Sequence, residues 1–70
     1  MKESIKNEVN SLRTEKGVTQ EALAEAVGVS RQTIIAIERG NYAPSILLAI
    51  KIARYFRVHV EDVFSIHHAT

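Results

Sequence analysis

Three consecutive polar residues, Arg31, Gln32 and Thr33, follow a serine and precede an apolar stretch. An arginine side chain can donate two hydrogen bonds to guanine O6 and N7, and glutamine can bond adenine N6 and N7 in the same paired way. At the start of a helix, such side chains could contact base edges. Considered singly, each of these residues is explained more simply as part of a solvated surface, because polar residues are mostly exposed.

The residues around this set have the pattern of two helices joined by a sharp turn. Gly28 follows the last apolar residue of the first helix, where a left-handed backbone costs least in glycine. Ser30 can cap the second helix by accepting a hydrogen bond from a first-turn amide. Val29 and Ile34 have the spacing of a hydrophobic staple around that cap. Residues 19–40 therefore predict a helix-turn-helix unit, and this context favours DNA contact over a solvated face.

Helical periodicity divides the second helix of this unit into two sides. At ~100° per position, Ile34, Ile37 and Glu38 fall together on the inward side. The outward side includes an apolar pair that would suit a thymine methyl group, although a single exposed isoleucine also needs no special explanation. We therefore predict that five positions read bases: Arg31, Gln32, Thr33, Ile35 and Ala36.

Glu38 is predicted to face inward, where an unpaired carboxylate would be costly. Arg13, near the end of the preceding predicted helix, is the expected partner and could form a bidentate ion pair with it. We interpret this pair as structural. An acid–base role for Glu38 is disfavoured because the sequence offers no nucleophile setting, metal-ligand motif or phosphate-binding loop beside it.

Gln20 opens the first helix of the unit, directly after Thr19, a predicted helix cap. Its side chain and the positive end of the helix could together hold a phosphate group. An ordinary polar residue in the first turn explains Gln20 equally well from the sequence alone.

Length and composition restrict the class of protein. Seventy residues are expected to form a single small domain, residues 1–70. A net charge of +1 is small for a nucleic-acid-binding protein, so the prediction of DNA binding depends on where the charged residues lie. The absence of cysteine suits the reducing cytoplasm, and no signal peptide or membrane-spanning stretch is recognisable. His67 and His68 are expected to be solvated tail residues, because no third ligand lies nearby in the sequence, so no metal site and no cofactor are predicted. No enzyme activity is predicted, because the sequence contains no catalytic motif.

Outside residues 19–40, the spacing of apolar residues predicts helices and no strands. Helices are expected from Ser4 to Lys16, from Ser45 to about Phe56, and over residues 60–64, with a short C-terminal tail at 65–70. With the two helices of residues 19–40, this gives an all-α fold, a compact bundle of about five short helices. The predicted core face of the fourth helix consists of Ile46, Ala49, Ile50, Ala53 and Phe56.

These residues resemble the Cro/C1-type (XRE-like) helix-turn-helix regulators of phages and bacteria, over about Ile5 to Phe64. The resemblance implies a lambda-repressor-like DNA-binding domain of the small stand-alone kind, a sequence-specific regulator that is most often a repressor. Three departures are Asn41, where a basic residue is common, Leu47, where a polar one is usual, and Arg57, where glycine is expected and the corner could be strained or built differently. The implied phosphate contacts are Thr19, Gln20, Ser30, Arg39, Asn41 and Tyr42.

The C-terminal third carries more apolar residues than a monomer of this size should need. We expect a homodimer that reads a palindrome in double-stranded DNA, although completion of the monomer core explains part of this set equally well. A protein-interaction module, such as the antitoxin of a toxin–antitoxin pair, is the alternative, with the stripe of Leu47 and Tyr55 as its partner surface. The dimer candidates are Leu47, Tyr55, Val60, Val63, Phe64 and Ile66.

Overall fold

Residues 2–69 fold into five short helices and one two-stranded sheet. The computed structural model describes residues 2–69, with side-chain surroundings for residues 3–68. None of the helices in that part of the chain is long and apolar enough to cross a membrane. In chain order the elements are β1 (Lys2–Asn7), α1 (Val9–Lys16), α2 (Gln20–Val27), α3 (Arg31–Glu38), α4 (Ile46–Phe56), α5 (Val60–Val63) and β2 (Phe64–Ala69).

The starts of α2, α3 and α4 follow local capping chemistry. Thr19 Oγ1 accepts a hydrogen bond from the Ala22 amide at 3.0 Å. Ser30 Oγ accepts one from the Thr33 amide at 3.3 Å, and Ser45 Oγ accepts one from the Leu48 amide at 3.2 Å. Each side-chain oxygen satisfies an amide that has no partner within its own helix. The predicted caps at Thr19 and Ser30 are therefore confirmed, and Ser45, where the fourth helix was predicted to start, caps α4 in the same way.

The core lies where all five helices meet. Leu23, Ile34 and Ile52 are fully buried at its centre. Because α2 and α3 both contribute to it, their relative angle is fixed by the same apolar contacts that stabilise the whole domain. The buried apolar residues are Val9, Leu23, Ala24, Val27, Ile34, Ile37, Leu48, Ile52, Ala53 and Val63.

The predicted core face of α4 is wrong. Ile46 is 80% exposed and Ile50 39% exposed, whereas Leu48, Ile52 and Ala53 are the residues that pack into the core. Of the predicted set, Ala49 and Phe56 are half-buried and Ala53 alone is buried. The helix is apolar almost all round, so apolar spacing does not define a unique stripe. Its two basic residues are the better signal, since Lys51 and Arg54 are both exposed.

The terminal segments are strands, which corrects the all-α prediction. A helix was predicted to begin at Ser4. Instead, residues 2–7 form β1, and α1 starts only at Val9. Asn7 explains the late start, because its Oδ1 accepts the Val9 amide at 3.1 Å in a local turn that competes with helix. The predicted tail forms β2, paired antiparallel with β1, so that Ile5 lies opposite Ile66. Thr70 lies outside the described residues. We call β1 and β2 the terminal ribbon.

Arg57 takes the conformation that glycine takes at the ends of α1 and α2. Its φ of 58° and ψ of 44° are left-handed, as at Gly17 and Gly28. The Val58 amide bonds the Ala53 carbonyl at 3.0 Å, which closes the helix as a glycine would. The corner is therefore built like the glycine corners, and the side chain of Arg57 adds the steric cost of that conformation.

We expect Arg57→Gly to raise the free energy of unfolding by about 1 kcal/mol, because glycine adopts this conformation without a Cβ clash. Arg54→Gly is the matched control. It removes the same side chain three positions earlier, within α4, and should lower stability by about 1 kcal/mol. Urea denaturation of the two variants measures both effects. Destabilisation by both substitutions would contradict a steric cost at position 57.

Candidate nucleic-acid interface

The turn between α2 and α3 exposes the first turn of α3. Gly28, at φ 77°, ends α2, and the Val29 amide bonds back to the Ala24 carbonyl at 2.9 Å. Ser30 then caps α3 at once. Buried apolar side chains on both helices hold them together behind the turn, so the start of α3 stands clear of the core.

The five positions predicted to read bases do not share one environment. Arg31 and Gln32 are exposed at the first turn of α3, whereas Thr33, Ile35 and Ala36 are half-buried. The Thr33 hydroxyl lies 3.2 Å from Ser30 Oγ and is engaged with the cap. Arg31 and Gln32 are therefore the side chains best placed to extend toward a ligand.

The structure brings together Arg13 and Glu38, the pair proposed from the sequence. Arg13 Nε donates to Glu38 Oε2 at 2.7 Å, and Nη2 donates to Oε1 at 3.2 Å. The two side chains are only 15% and 7% exposed. Such a paired, two-point contact fixes direction as well as distance. It joins α1 to the end of α3 and so helps to position that helix.

Two further side chains complete this site: Asn10, which the sequence did not single out, and Gln20, which the sequence indicated only as a phosphate contact. Asn10 Nδ2 and Gln20 Nε2 each donate to Glu38 Oε1 at 3.1 Å. Asn10 lies three residues before Arg13 on α1, so it shares a helix face with it, which is a signal that could have found it. We call Asn10, Arg13, Gln20 and Glu38 the Glu38 network. It connects α1, α2 and α3 through one carboxylate.

The network also sets the charge state of its members. Burial raises the pKa of Glu38, but the hydrogen bonds from Arg13, Asn10 and Gln20, together with the charge of Arg13, outweigh burial and hold that pKa below its ordinary value. The hydrogen bond to Glu38 in turn raises the pKa of Arg13. Both groups are therefore charged near neutral pH, and the carboxylate acts as a fixed acceptor.

Gln20 lies beside Arg31 in an open, polar hollow of about 540 Å³, which Arg13, Thr19 and Glu21 also line. The amide nitrogen of Gln20 carries two hydrogens, so donating one to Glu38 leaves a second for a ligand. The first-turn amides of α2 point into the same region, as at any helix N-terminus. These groups give the hollow the chemistry of an anion site, and Glu21 places one opposing charge beside them.

The other residues implied in phosphate contact divide into two groups. Thr19 and Ser30 use their hydroxyl oxygens as helix caps. Arg39, Asn41 and Tyr42 are exposed just beyond the C-terminal end of α3, at the end opposite Arg31. Arg39, Asn41 and Tyr42 therefore form an exposed polar cluster just after α3, whereas Thr19 and Ser30 are engaged in capping the starts of α2 and α3.

The dimer candidates need one clear correction. Val63 is 1% exposed and belongs to the monomer core, so it is not an interface residue. Tyr55 is half-buried, with its ring edge-on to Phe56 and Lys16 Nζ 5.4 Å from its centroid. Val60 and Phe64 pack partly against the core. Of the six candidates, Leu47, at 65% exposed, and Ile66, at 60%, are the freely accessible ones.

The described part of the chain brings together no group of three or more histidine, cysteine, aspartate or glutamate side chains that could hold a metal ion. His67 and His68, predicted to lie in a tail, are instead exposed on β2. His68 Nδ1 lies 3.3 Å from Glu3 Oε2 on β1. These histidines are therefore part of the terminal ribbon.

Comparison with known proteins gives a consistent result. A family model described as helix-turn-helix matches residues 9–63. The chain is 55% identical over 60 residues to the uncharacterized HTH-type transcriptional regulator YgzD of Bacillus subtilis, covering 86% of this chain and 91% of that protein. It is 29% identical over 59 residues to the cryptic phage CTXphi transcriptional repressor RstR of Vibrio cholerae, covering 84% of this chain and 53% of the repressor. The crystal structure of the restriction-modification controller protein C.AhdI from Aeromonas hydrophila superposes with a TM-score of 0.72 at 31% identity, over 77% of this chain and 82% of the other.

Proposed function

Because the chain belongs to the helix-turn-helix family of DNA-binding transcriptional regulators, we propose that it represses transcription by binding a palindromic operator as a homodimer. It is a regulator and not an enzyme. The main support for the proposal is that Arg31 and Gln32 are exposed on the first turn of α3. The opposite side of α3 is packed into the core, which holds the helix in place. The similarity to a phage repressor supports repression rather than activation. Such a regulator would act in the cytoplasm.

Base reading falls mainly to the two exposed side chains. Arg31 would read guanine and Gln32 adenine in the major groove, since each can make two hydrogen bonds to one base edge. Ile35 and Ala36, half-buried beside them, would contact thymine methyl groups rather than make polar contacts. Thr33 would contribute less to base discrimination, because its hydroxyl is engaged with the Ser30 cap.

Phosphate contacts would orient the domain on the duplex. Gln20 and the first amides of α2 would hold one phosphate, and Arg39, Asn41 and Tyr42 would approach the DNA backbone beyond the C-terminal end of α3. Anchor points on two separate segments, the start of α2 and the loop after α3, would orient α3 in the groove. With a net charge of +1, the protein has little general attraction to DNA, so these specific contacts must supply much of the affinity.

Selection of bound DNA from a random pool tests this proposal most directly. We expect enrichment of a palindrome whose half-sites are centred ~34 Å apart, one turn of the double helix. Each half-site should include a guanine and an adenine at positions that Arg31 and Gln32 can reach. Recovery of unrelated sequences, or of a single half-site without symmetry, would contradict a dimeric sequence-specific regulator.

A partner-binding module is a second candidate, favoured by one observation. Ile46, Leu47 and Ile50 are exposed together on α4, at 80%, 65% and 39%. Exposed apolar patches often mark protein interfaces. If α4 binds a different protein, such as a toxin, the isolated chain should sediment as a monomer or self-associate without a defined stoichiometry. A well-defined dimer would favour the operator-binding proposal.

A further inference from the structure

The terminal ribbon is the most exposed regular structure in the domain. All side chains from Glu3 to Lys6 and from Ser65 to His68 are exposed. The ribbon is held at its base, where Asn7 Nδ2 donates to the Ile37 carbonyl and the Glu8 amide bonds the Val63 carbonyl, both at 2.8 Å. Beyond that base, within residues 2–69, no third strand joins it. Two strands alone are marginally stable in water, so a further strand would stabilise the ribbon.

The two outer edges of the ribbon differ in charge. β1 carries Lys2, Glu3 and Lys6, and lysine on an edge strand is a common protection against unwanted pairing. β2, with the sequence Phe-Ser-Ile-His-His-Ala, contains no lysine, arginine, acidic residue or proline. The β2 edge is therefore the open one, with unpaired backbone groups and nothing in its composition to oppose another strand.

We propose that β2 pairs antiparallel with β2 of a second copy of this chain, giving a four-stranded sheet in the order β1-β2-β2-β1. A two-fold axis relates two antiparallel copies of one strand, so a single self-complementary edge suffices to close a dimer. An uncharged edge also avoids opposing like charges when it meets its own copy. The inference rests on the homodimer proposed above and specifies its interface.

The register follows from the side chains. In a symmetric antiparallel pair, the two-fold axis passes between two copies of one residue, which face each other across it. Ile66 lies near the middle of β2 and is 60% exposed, and it pairs with Ile5 of β1. Placing Ile66 on the axis aligns four isoleucines in one row across the sheet, whereas Ser65 or His67 on the axis would oppose polar side chains. Cross-strand apolar pairs of this kind stabilise sheets.

Single cysteines can locate the interface, because the natural chain contains none. We expect Ile66→Cys to be converted to a covalent dimer by a short thiol-reactive cross-linker, since opposed Cβ atoms across strands lie ~5 Å apart. Leu47→Cys, at a similarly exposed site on α4, is the matched control and should stay largely uncoupled. Efficient coupling of the Leu47→Cys protein but not the Ile66→Cys protein would overturn the ribbon interface and place the dimer on α4.

A second variant tests the same interface without cross-linking. Ile66→Lys should raise the dimer dissociation constant about tenfold or more, because two lysines would then face each other on the axis. Sedimentation equilibrium measures this constant, and circular dichroism should show unchanged helix content. If the Ile66→Lys protein dimerises with the same dissociation constant as the wild type, the ribbon interface is rejected while the homodimer stands. A wild-type monomer would reject both proposals.

Discussion

Glu38→Ala is expected to lower the free energy of unfolding by about 3 kcal/mol. The substitution leaves the Arg13 guanidinium, only 15% exposed, without the carboxylate that balances its charge. It also removes the acceptor of the Asn10 and Gln20 amides. In a small domain such a loss is a large share of total stability, because stability amounts to only about 0.05–0.15 kcal/mol per residue. Urea denaturation should therefore show a much lower midpoint.

Two further variants separate the loss of a charge partner from the loss of packing. Glu25→Ala, on the exposed side of α2, should change stability by less than about 0.5 kcal/mol. Replacing both partners, Arg13→Met with Glu38→Leu, should recover much of the loss, since an apolar pair leaves no buried charge unpaired. If the double variant is no more stable than Glu38→Ala alone, the effect does not come from the orphaned guanidinium.

The same network predicts how stability depends on pH. The pKa of Glu38 is lower in the folded protein than in the unfolded chain, so its contribution is complete above the ordinary value, near 4.5. As pH falls below that value, the unfolded state takes up the proton first and the contribution declines. The difference in unfolding free energy between wild type and Glu38→Gln should therefore shrink in acid. A difference that is constant from neutral to acid pH would contradict this linkage.

Features set by neighbouring residues were predictable from the sequence. The caps at Thr19, Ser30 and Ser45 and the left-handed Gly28 each depend on a few adjacent residues, and the structure has all of them. The helix-turn-helix unit follows from these local signals together with apolar spacing. Local signals were therefore enough to predict the turn and the helix starts that present the candidate interface, while the core and the Glu38 network hold them in place.

Features that depend on distant contacts were not predictable in the same way. Ile5 continues the helical spacing of Val9 and Leu12, yet it lies in a strand because residues 2–7 pair with residues 64–69 at the other end of the chain. No local pattern reveals such a partner. Asn7, the last residue of β1, is the local signal that the helix starts after it, because its side chain accepts the Val9 amide. The role of Gln20 in the Glu38 network likewise requires α1, α2 and α3 to be packed first.

Gln32→Ala is expected to weaken binding to the selected operator by ~1–3 kcal/mol, and to relax the preference at one base pair. Gln32 is exposed on the first turn of α3, so the substitution removes a side chain that takes no part in the core. The loss should vanish on an operator already altered at the base that Gln32 reads, since no paired hydrogen bonds remain there to be lost. Competition binding against a panel of single-base operator variants measures both effects.

Gln20→Ala is the matched control, with the same chemical change on the neighbouring helix. Because phosphate contacts carry no base identity, it should weaken binding to every operator variant by a similar factor. Gln20 also donates to Glu38, so both proteins are compared at a temperature where each is folded. Uniform weakening by Gln32→Ala, with base preference lost in Gln20→Ala instead, would exchange the two roles and assign base reading to the start of α2 rather than α3.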